Sequence, residues 1–172
     1  AGLGELFAAG DGVPKDPRRA VGLFRRACDR GSARGCVNLA EAQAKGQGVP
    51  QDLKAAAELL RKTCDAGSPR ACASYADMLS AGAGVNADPV RAAVLYRKAC
   101  DKGSAAGCAG LGDLLRRGEG IPQNLAEAAG FYRKACDGGS AGGCADLGKM
   151  SEEGEGVPKD IARAASFYQK AC

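Results

Sequence analysis

The 172-residue chain has no histidine and no tryptophan, and only four phenylalanines and four tyrosines. Without histidine, neither a Ser-His-Asp nor a Cys-His arrangement for nucleophilic catalysis can be built, and a common nitrogen ligand of zinc is missing. With so few aromatics, any core must come mainly from Ala, Leu, Val and Cys, which suits helices packed closely on small residues better than a sandwich of sheets. No apolar run approaches the roughly 18 residues of a membrane span, and no charged segment followed by an apolar one opens the chain as a secretory signal would. Neither sign of charge dominates. The 24 Lys and Arg against 20 Asp and Glu leave a net +4, well below the excess of proteins that track nucleic acid.

Cysteine, by contrast, is abundant and regular. Cys28/Cys36, Cys64/Cys72, Cys100/Cys108 and Cys136/Cys144 form four pairs eight residues apart, each copy 36 residues after the last, and Cys172 falls in phase as a ninth. The ligand spacing of zinc sites, typically two to four residues, is absent, so the pattern points to structural disulfides and not to a metal. Disulfides imply an oxidising compartment, periplasmic or secreted. The alternative is a set of buried, reduced cysteines serving as small apolar packers in a cytosolic array. Stepping back 36 residues from Cys36 lands one position before Ala1, so the sequence starts and stops inside repeats and is expected to be a segment of a longer protein.

Superposition of the copies gives two helical patterns and two turns per unit, hence an all-α array of antiparallel helix pairs. An approximate first helix at 1–9 precedes units at 32–67, 68–103, 104–139 and 140–172, about four and a half in all. Each first helix opens at Gly-Ser (Gly31-Ser32, Gly67-Ser68, Gly103-Ser104, Gly139-Ser140), where the glycine ends one helix and the serine caps the next. Its apolar face is the i, i+3, i+4, i+7 set typified by Cys108, Leu111, Gly112 and Leu115. It stops at Gly-x-Gly-Val/Ile-Pro, as in Gly118 to Pro122, with Gly82-Ala83-Gly84-Val85-Asn86 the variant without proline. Such a turn follows a helix and not a strand, so it is a C-cap and not a phosphate cradle. Asp16, Asp52, Asp88, Asn124 and Asp160 then cap the second helices. In these, Ala20, Ala56, Ala92, Ala128 and Ala164 recur four residues before a bulkier Phe24, Leu60, Tyr96, Tyr132 and Tyr168.

In an antiparallel pair, two cysteine registers bring helix ends together: Cys28–Cys36 and its repeats across the Gly-Ser turn, or Cys36–Cys64 and onward along a hairpin. The shorter loop and unbroken eight-residue spacing favour the first, with Cα atoms about 5–6 Å apart. Cys172 would then have no partner within the chain.

Leu111-Gly112, the turn Gly118-Glu119-Gly120-Ile121-Pro122-Gln123-Asn124, the helix Ala128-Ala129-Gly130-Phe131-Tyr132-Arg133-Lys134-Ala135-Cys136 and the 36-residue period resemble the Sel-1-like repeat, a relative of the tetratricopeptide repeat. The Cys-x7-Cys version is similar to a narrower group, the cysteine-rich secreted Hcp-type bacterial proteins. The resemblance implies a right-handed superhelical solenoid, disulfides in the eight-residue register, an extracytoplasmic location and a concave surface presented to a protein or peptide. Some cysteine-rich members are described as penicillin-binding proteins or weak β-lactamases. This sequence lacks their Ser-x-x-Lys, so no catalytic residue carries over, and no cofactor or metal site is assigned.

If the first helices line the inner surface, the partner-binding face lies opposite the leucine stripe: Asn38, Glu41 and Lys45; Ser74 and Asp77; Gly110, Asp113 and Arg117; Asp146, Lys149 and Glu153. These positions differ between copies while the core sites do not, as on a surface tuned to one partner or on unconstrained solvent positions. A cation pair also precedes the repeated cysteines (Arg25-Arg26, Arg61-Lys62, Arg97-Lys98, Arg133-Lys134). The helix macrodipole and the following aspartates account for it better than an anionic partner would.

Overall fold

The structure, a computed structural model, describes residues 2–171; Ala1 and Cys172 lie outside them, and with Cys172 the question of its partner. The described residues form α-helices and no strand. In chain order these are α1 (Gly2–Ala9), α2 (Pro17–Asp29), α3 (Ala33–Lys45), α4 (Leu53–Asp65), α5 (Pro69–Ala81), α6 (Pro89–Asp101), α7 (Ala105–Arg117), α8 (Leu125–Asp137), α9 (Ala141–Glu153) and α10 (Ile161–Ala171). Odd-numbered helices are the first helices of the pairs and even-numbered ones the second. The chain divides into two compact units, one ending at Ala87 and the other starting at Asp88. The division falls just after the proline-free turn Gly82–Asn86.

Local chemistry sets every helix boundary. Ser32, Ser68, Ser104 and Ser140 each accept, through Oγ, the N–H three residues on, at 3.1–3.3 Å. Asp16, Asp52, Asp88, Asn124 and Asp160 do the same for the second helices at 2.8–3.1 Å. Each cap satisfies one of the free N–H groups of a first turn. Pro17, Pro69 and Pro89 stand at N1 of α2, α5 and α6, where no amide hydrogen is needed.

The Gly-x-Gly turn does more than end a helix. Gly118 caps α7 in the left-handed conformation, and two residues on Gly120, at φ +73°, lies against the backbone of Pro89 and Val90 at the start of α6. A Cβ there would collide with main chain that cannot step aside. Gly48 stands likewise against Pro17, Gly84 against Leu53 and Gly156 against Leu125, so each turn packs on the first turn of the second helix one repeat earlier. The half-buried Val13 and Val49 fold back onto a core of Phe7, Ala20, Val21, Phe24, Leu39 and Ala42.

The recurrent small site of the first helices receives the bulky residue of its own pair. A Cβ on Gly4 would lie 2.6 Å from Phe24, one on Gly112 2.9 Å from Tyr132 and one on Gly148 2.8 Å from Tyr168. Tyr132 is fully buried by this arrangement. Tyr96 lies over Gly110 of the following helix.

Four disulfides, Cys28–Cys36, Cys64–Cys72, Cys100–Cys108 and Cys136–Cys144, each tie the last turn of a second helix to the first turn of the next. The eight-residue register is therefore the one formed. Their Cα atoms are 4.5–4.6 Å apart, closer than the 5–6 Å expected. One residue before the second cysteine the helices meet on small side chains: a Cβ on Gly35, Gly107 or Gly143 would be 2.6 Å from Ala27, Ala99 or Ala135, and the fully buried Ala71 holds that place in the second pair.

Two outcomes test this packing. Closing about nine residues contributes on the order of 2.5 kcal/mol in the loop-entropy description, so Cys64→Ala/Cys72→Ala should lose about that much stability in urea unfolding. Gly112→Val should cost about 1–3 kcal/mol through the displaced Tyr132 ring, while Gly130→Ala, where a Cβ meets nothing within 4 Å, should cost nothing.

Candidate functional site

In the first unit, α3 supplies Asn38, Glu41 and Lys45, and the structure brings all three to one cleft. Asn38 was expected on the exposed face but is buried, with 6% of its surface accessible. Its Nδ2 donates to Glu5 Oε1 at 2.7 Å, and Arg34 forks onto both oxygens of the same carboxylate at 2.7 and 2.6 Å. The Asn38 hydrogen bond, followed by the bonds and charge of Arg34, holds the Glu5 carboxyl below its ordinary pKa. One repeat on, Arg70 donates to Glu41 at 2.8 Å. The cleft, of about 610 Å³, has a floor that includes Ala8, Phe24 and Ala42 and a polar wall that includes Glu5, Asn38, Glu41 and Arg70, with Lys15 and Lys45 also in its lining. Ser74 is half-buried and Asp77 exposed on α5.

The same register carries other chemistry in the second unit. Gly110 was also expected to be open surface, yet Tyr96 covers it. Asp113 accepts the Tyr132 hydroxyl at 2.6 Å, and that hydroxyl accepts from Arg116 Nε at 3.2 Å. Burial first, then the bond to Asp113, pushes the Tyr132 phenol up. Asp146 is half-buried on α9, and its carboxyl is raised by burial and then by the charge of Asp113. Arg117 stands 4.0 Å from Asp113 and 3.6 Å from Glu119, and Lys149 pairs with Glu153 at 4.0 Å.

Both corrections have one cause. A single-helix projection leaves out the first helix of the preceding repeat, which covers positions such as Asn38, and the second helix before it, whose Tyr96 reaches Gly110. Glu5, Arg34, Arg70, Arg116 and Tyr132 were absent from the expected face. Arg34/Arg70 and Glu5/Glu41 do recur at the 36-residue period, and that was the available signal.

The hydroxyls and cations are largely engaged in local structure. Ser32, Ser68, Ser104 and Ser140 are spent as caps, and Ser151 donates to Leu147 O. Arg61 pairs with Asp65, Lys62 with Glu58 and Arg97 with Glu127 at 3.0–3.2 Å, and Lys134 sits over the Phe131 ring. Among the described residues no group of three or more acidic or cysteine side chains is placed to hold a metal ion. Among the described residues no helix is long and apolar enough to cross a membrane.

Stacked helix pairs with glycine-mediated contacts, and disulfides joining each second helix to the next first helix, define an α-helical repeat protein of the disulfide-stapled kind. The Sel1 repeat model matches five times, over residues 1–32, 33–68, 69–104, 105–140 and 141–172, and the chain belongs to the Sel1 repeat family. Among solved structures it is similar to a Sel1 repeat protein from Oxalobacter formigenes, at 28% identity and a TM-score of 0.84, over 98% of this chain and 69% of that one. A protective antigen of uropathogenic Escherichia coli strains, displaying an SLR fold, aligns at 30% identity and a TM-score of 0.78. It covers 98% of this chain, which spans only 36% of that protein. Cysteine-rich protein B of Helicobacter pylori aligns at 32% identity and a TM-score of 0.57, over 71% of this chain and 87% of that one. No curated protein matches the chain.

The opposite pKa shifts predict opposite responses to acid. Glu5, lowered in the folded state, stabilises above its unfolded pKa, and that contribution is lost as pH falls through its folded value. Asp146, raised, destabilises the fold at neutral pH and ceases to do so when protonated. Asp146→Asn should therefore raise Tm at pH 7 and lose that advantage by about pH 3, whereas Glu5→Gln should lower Tm at pH 7 and converge on the parent in acid. Thermal melts across pH check both.

Proposed function

We propose that the chain is an extracytoplasmic scaffold, periplasmic or secreted, that binds a protein or peptide through the face of its first helices. The observation that carries this is the cleft of the first unit, where Asn38, Glu41 and Lys45 meet an apolar floor. It has the two properties a peptide site needs: buried apolar surface for affinity and fixed polar groups for orientation. Glu5 and Glu41 are held by Arg34 and Arg70, so the wall is preorganised and little ordering cost is left for binding. The four disulfides support an oxidising location. The face is read as concave, the surface that repeat arrays offer their partners. Binding along it includes Ser74, Asp77, Asp113, Arg117, Asp146, Lys149 and Glu153, while the buried Asn38 serves as part of the cleft wall and Gly110, under Tyr96, is not a contact residue.

A photo-crosslinker at position 45, presented to the envelope fraction of the source cells, should give a discrete adduct that the same group at Arg133 does not. Glu41→Lys should reduce the adduct at least tenfold. Equal adducts from both positions would sink the cleft as the site. A scaffold should also turn over nitrocefin no faster than its heat-denatured control; turnover above that control would favour the β-lactamase alternative.

A further inference from the structure

The third copy of the second helix breaks the repeat at two outward positions. Val90 and Val94 on α6 are 58% and 64% exposed. The four other copies carry Arg18 and Gly22, Lys54 and Glu58, Ala126 and Gly130, and Ala162 and Ser166 at these places. Nothing inside the chain favours valine there. It gains little burial, and a β-branched side chain is a weaker helix former than alanine or lysine. Single exposed apolar residues are ordinary, but these two stand one turn apart on one face and border a groove of about 520 Å³ whose lining includes Ala93 and Ile121.

The charge along the same stripe indicates what covers it. Val90, Val94, Lys98 and Lys102 succeed one another at four-residue steps, so the stripe is apolar at the start of α6 and cationic at its end, about 18 Å long. Both lysines are exposed, and among the described residues neither forms a salt bridge with a carboxylate. Arg97, beside them, is engaged by Glu127 at 3.1 Å, and Asp101 lies between the two lysines in sequence, leaving the groove one positive charge in excess.

We propose that this groove of α6 is a docking surface for a short acidic amphipathic helix. Two apolar side chains one turn apart seat on Val90 and Val94, and carboxylates about two turns further along meet Lys98 and Lys102. Three to four helical turns match the length of the stripe. The surface lies on a second helix and is separate from the first-helix cleft.

The test uses the full chain and a synthetic 15-residue helical peptide with two leucines four residues apart and three glutamates near one end, alongside the same peptide with lysines for the glutamates. The acidic peptide should bind saturably, with affinity falling as salt rises. Val90→Ser/Val94→Ser and Lys98→Glu/Lys102→Glu should each weaken it at least tenfold, and Lys45→Glu should leave it unchanged. All five substituted side chains are exposed, and circular dichroism with a free-thiol count verifies that each variant folds. The idea is overturned by lack of saturable binding up to millimolar peptide, by equal binding of the lysine peptide, by indifference to the α6 variants, or by loss in Lys45→Glu, which would put the peptide in the cleft. Binding to phosphatidylglycerol vesicles without binding of the acidic peptide would also overturn it, in favour of a lipid surface.

Discussion

Every repeat depends on how closely the end of a second helix can approach the start of the next first helix. The disulfide, the glycine or alanine beside it and the serine cap act on this one turn: the small residue permits the approach, the cap satisfies the backbone, and the bridge removes the alternatives open to an unfolded loop. An array of helix pairs has stability that is roughly the sum of its units and their nearest-neighbour interfaces. With a core of Ala, Leu and Cys, each unit buries modest apolar area, so a bridge at every such interface is a large part of what keeps successive pairs in register. The opposite end of the pair is fixed without covalent help, because the second glycine of the Gly-x-Gly turn rests directly on backbone of the preceding second helix.

On this constant frame the polar face changes from unit to unit. The first unit repeats one device, an arginine at the start of a first helix reaching back to a glutamate on the previous one, as Arg34 to Glu5 and Arg70 to Glu41. In the second unit the arginine sites are Ala106 and Gly142, and Asp113 is held by the Tyr132 hydroxyl instead. The two faces therefore differ in electrostatics, with one carboxyl lowered and one raised. A partner that fits the first unit's cleft meets neither the same charges nor the same shape in the second.

Sel1 membership fits this division between frame and face. The frame positions, Cys, Gly, Ser and the helix-capping Asp or Asn, are fixed by backbone geometry that does not depend on the ligand. The variable positions are where repeat proteins differ in what they hold, and here they include the cleft between α1 and α3 as well as the two valines of α6.

The sequence by itself determined the period, which is plain recurrence, and the two helices per unit with their caps and C-capping glycines, because these follow from contacts within about eight residues of chain; the seat of the second turn glycine on the preceding second helix was decided by the tertiary structure. The cysteine register was legible for the same reason: the turn is short, and the sequence already favoured the short loop over the hairpin. Only the tertiary structure decided that Asn38 is buried against Glu5, that Tyr96 covers Gly110, and that Glu5, Asn38, Glu41 and Arg70 share one cleft. Those contacts span 29 to 33 residues, or join a ring to the next helix, and depend on where a neighbouring helix lies, which the pattern of one helix does not contain. Cysteine was conspicuous and structural; the polar residues that build the site became apparent only once adjacent first helices stood side by side.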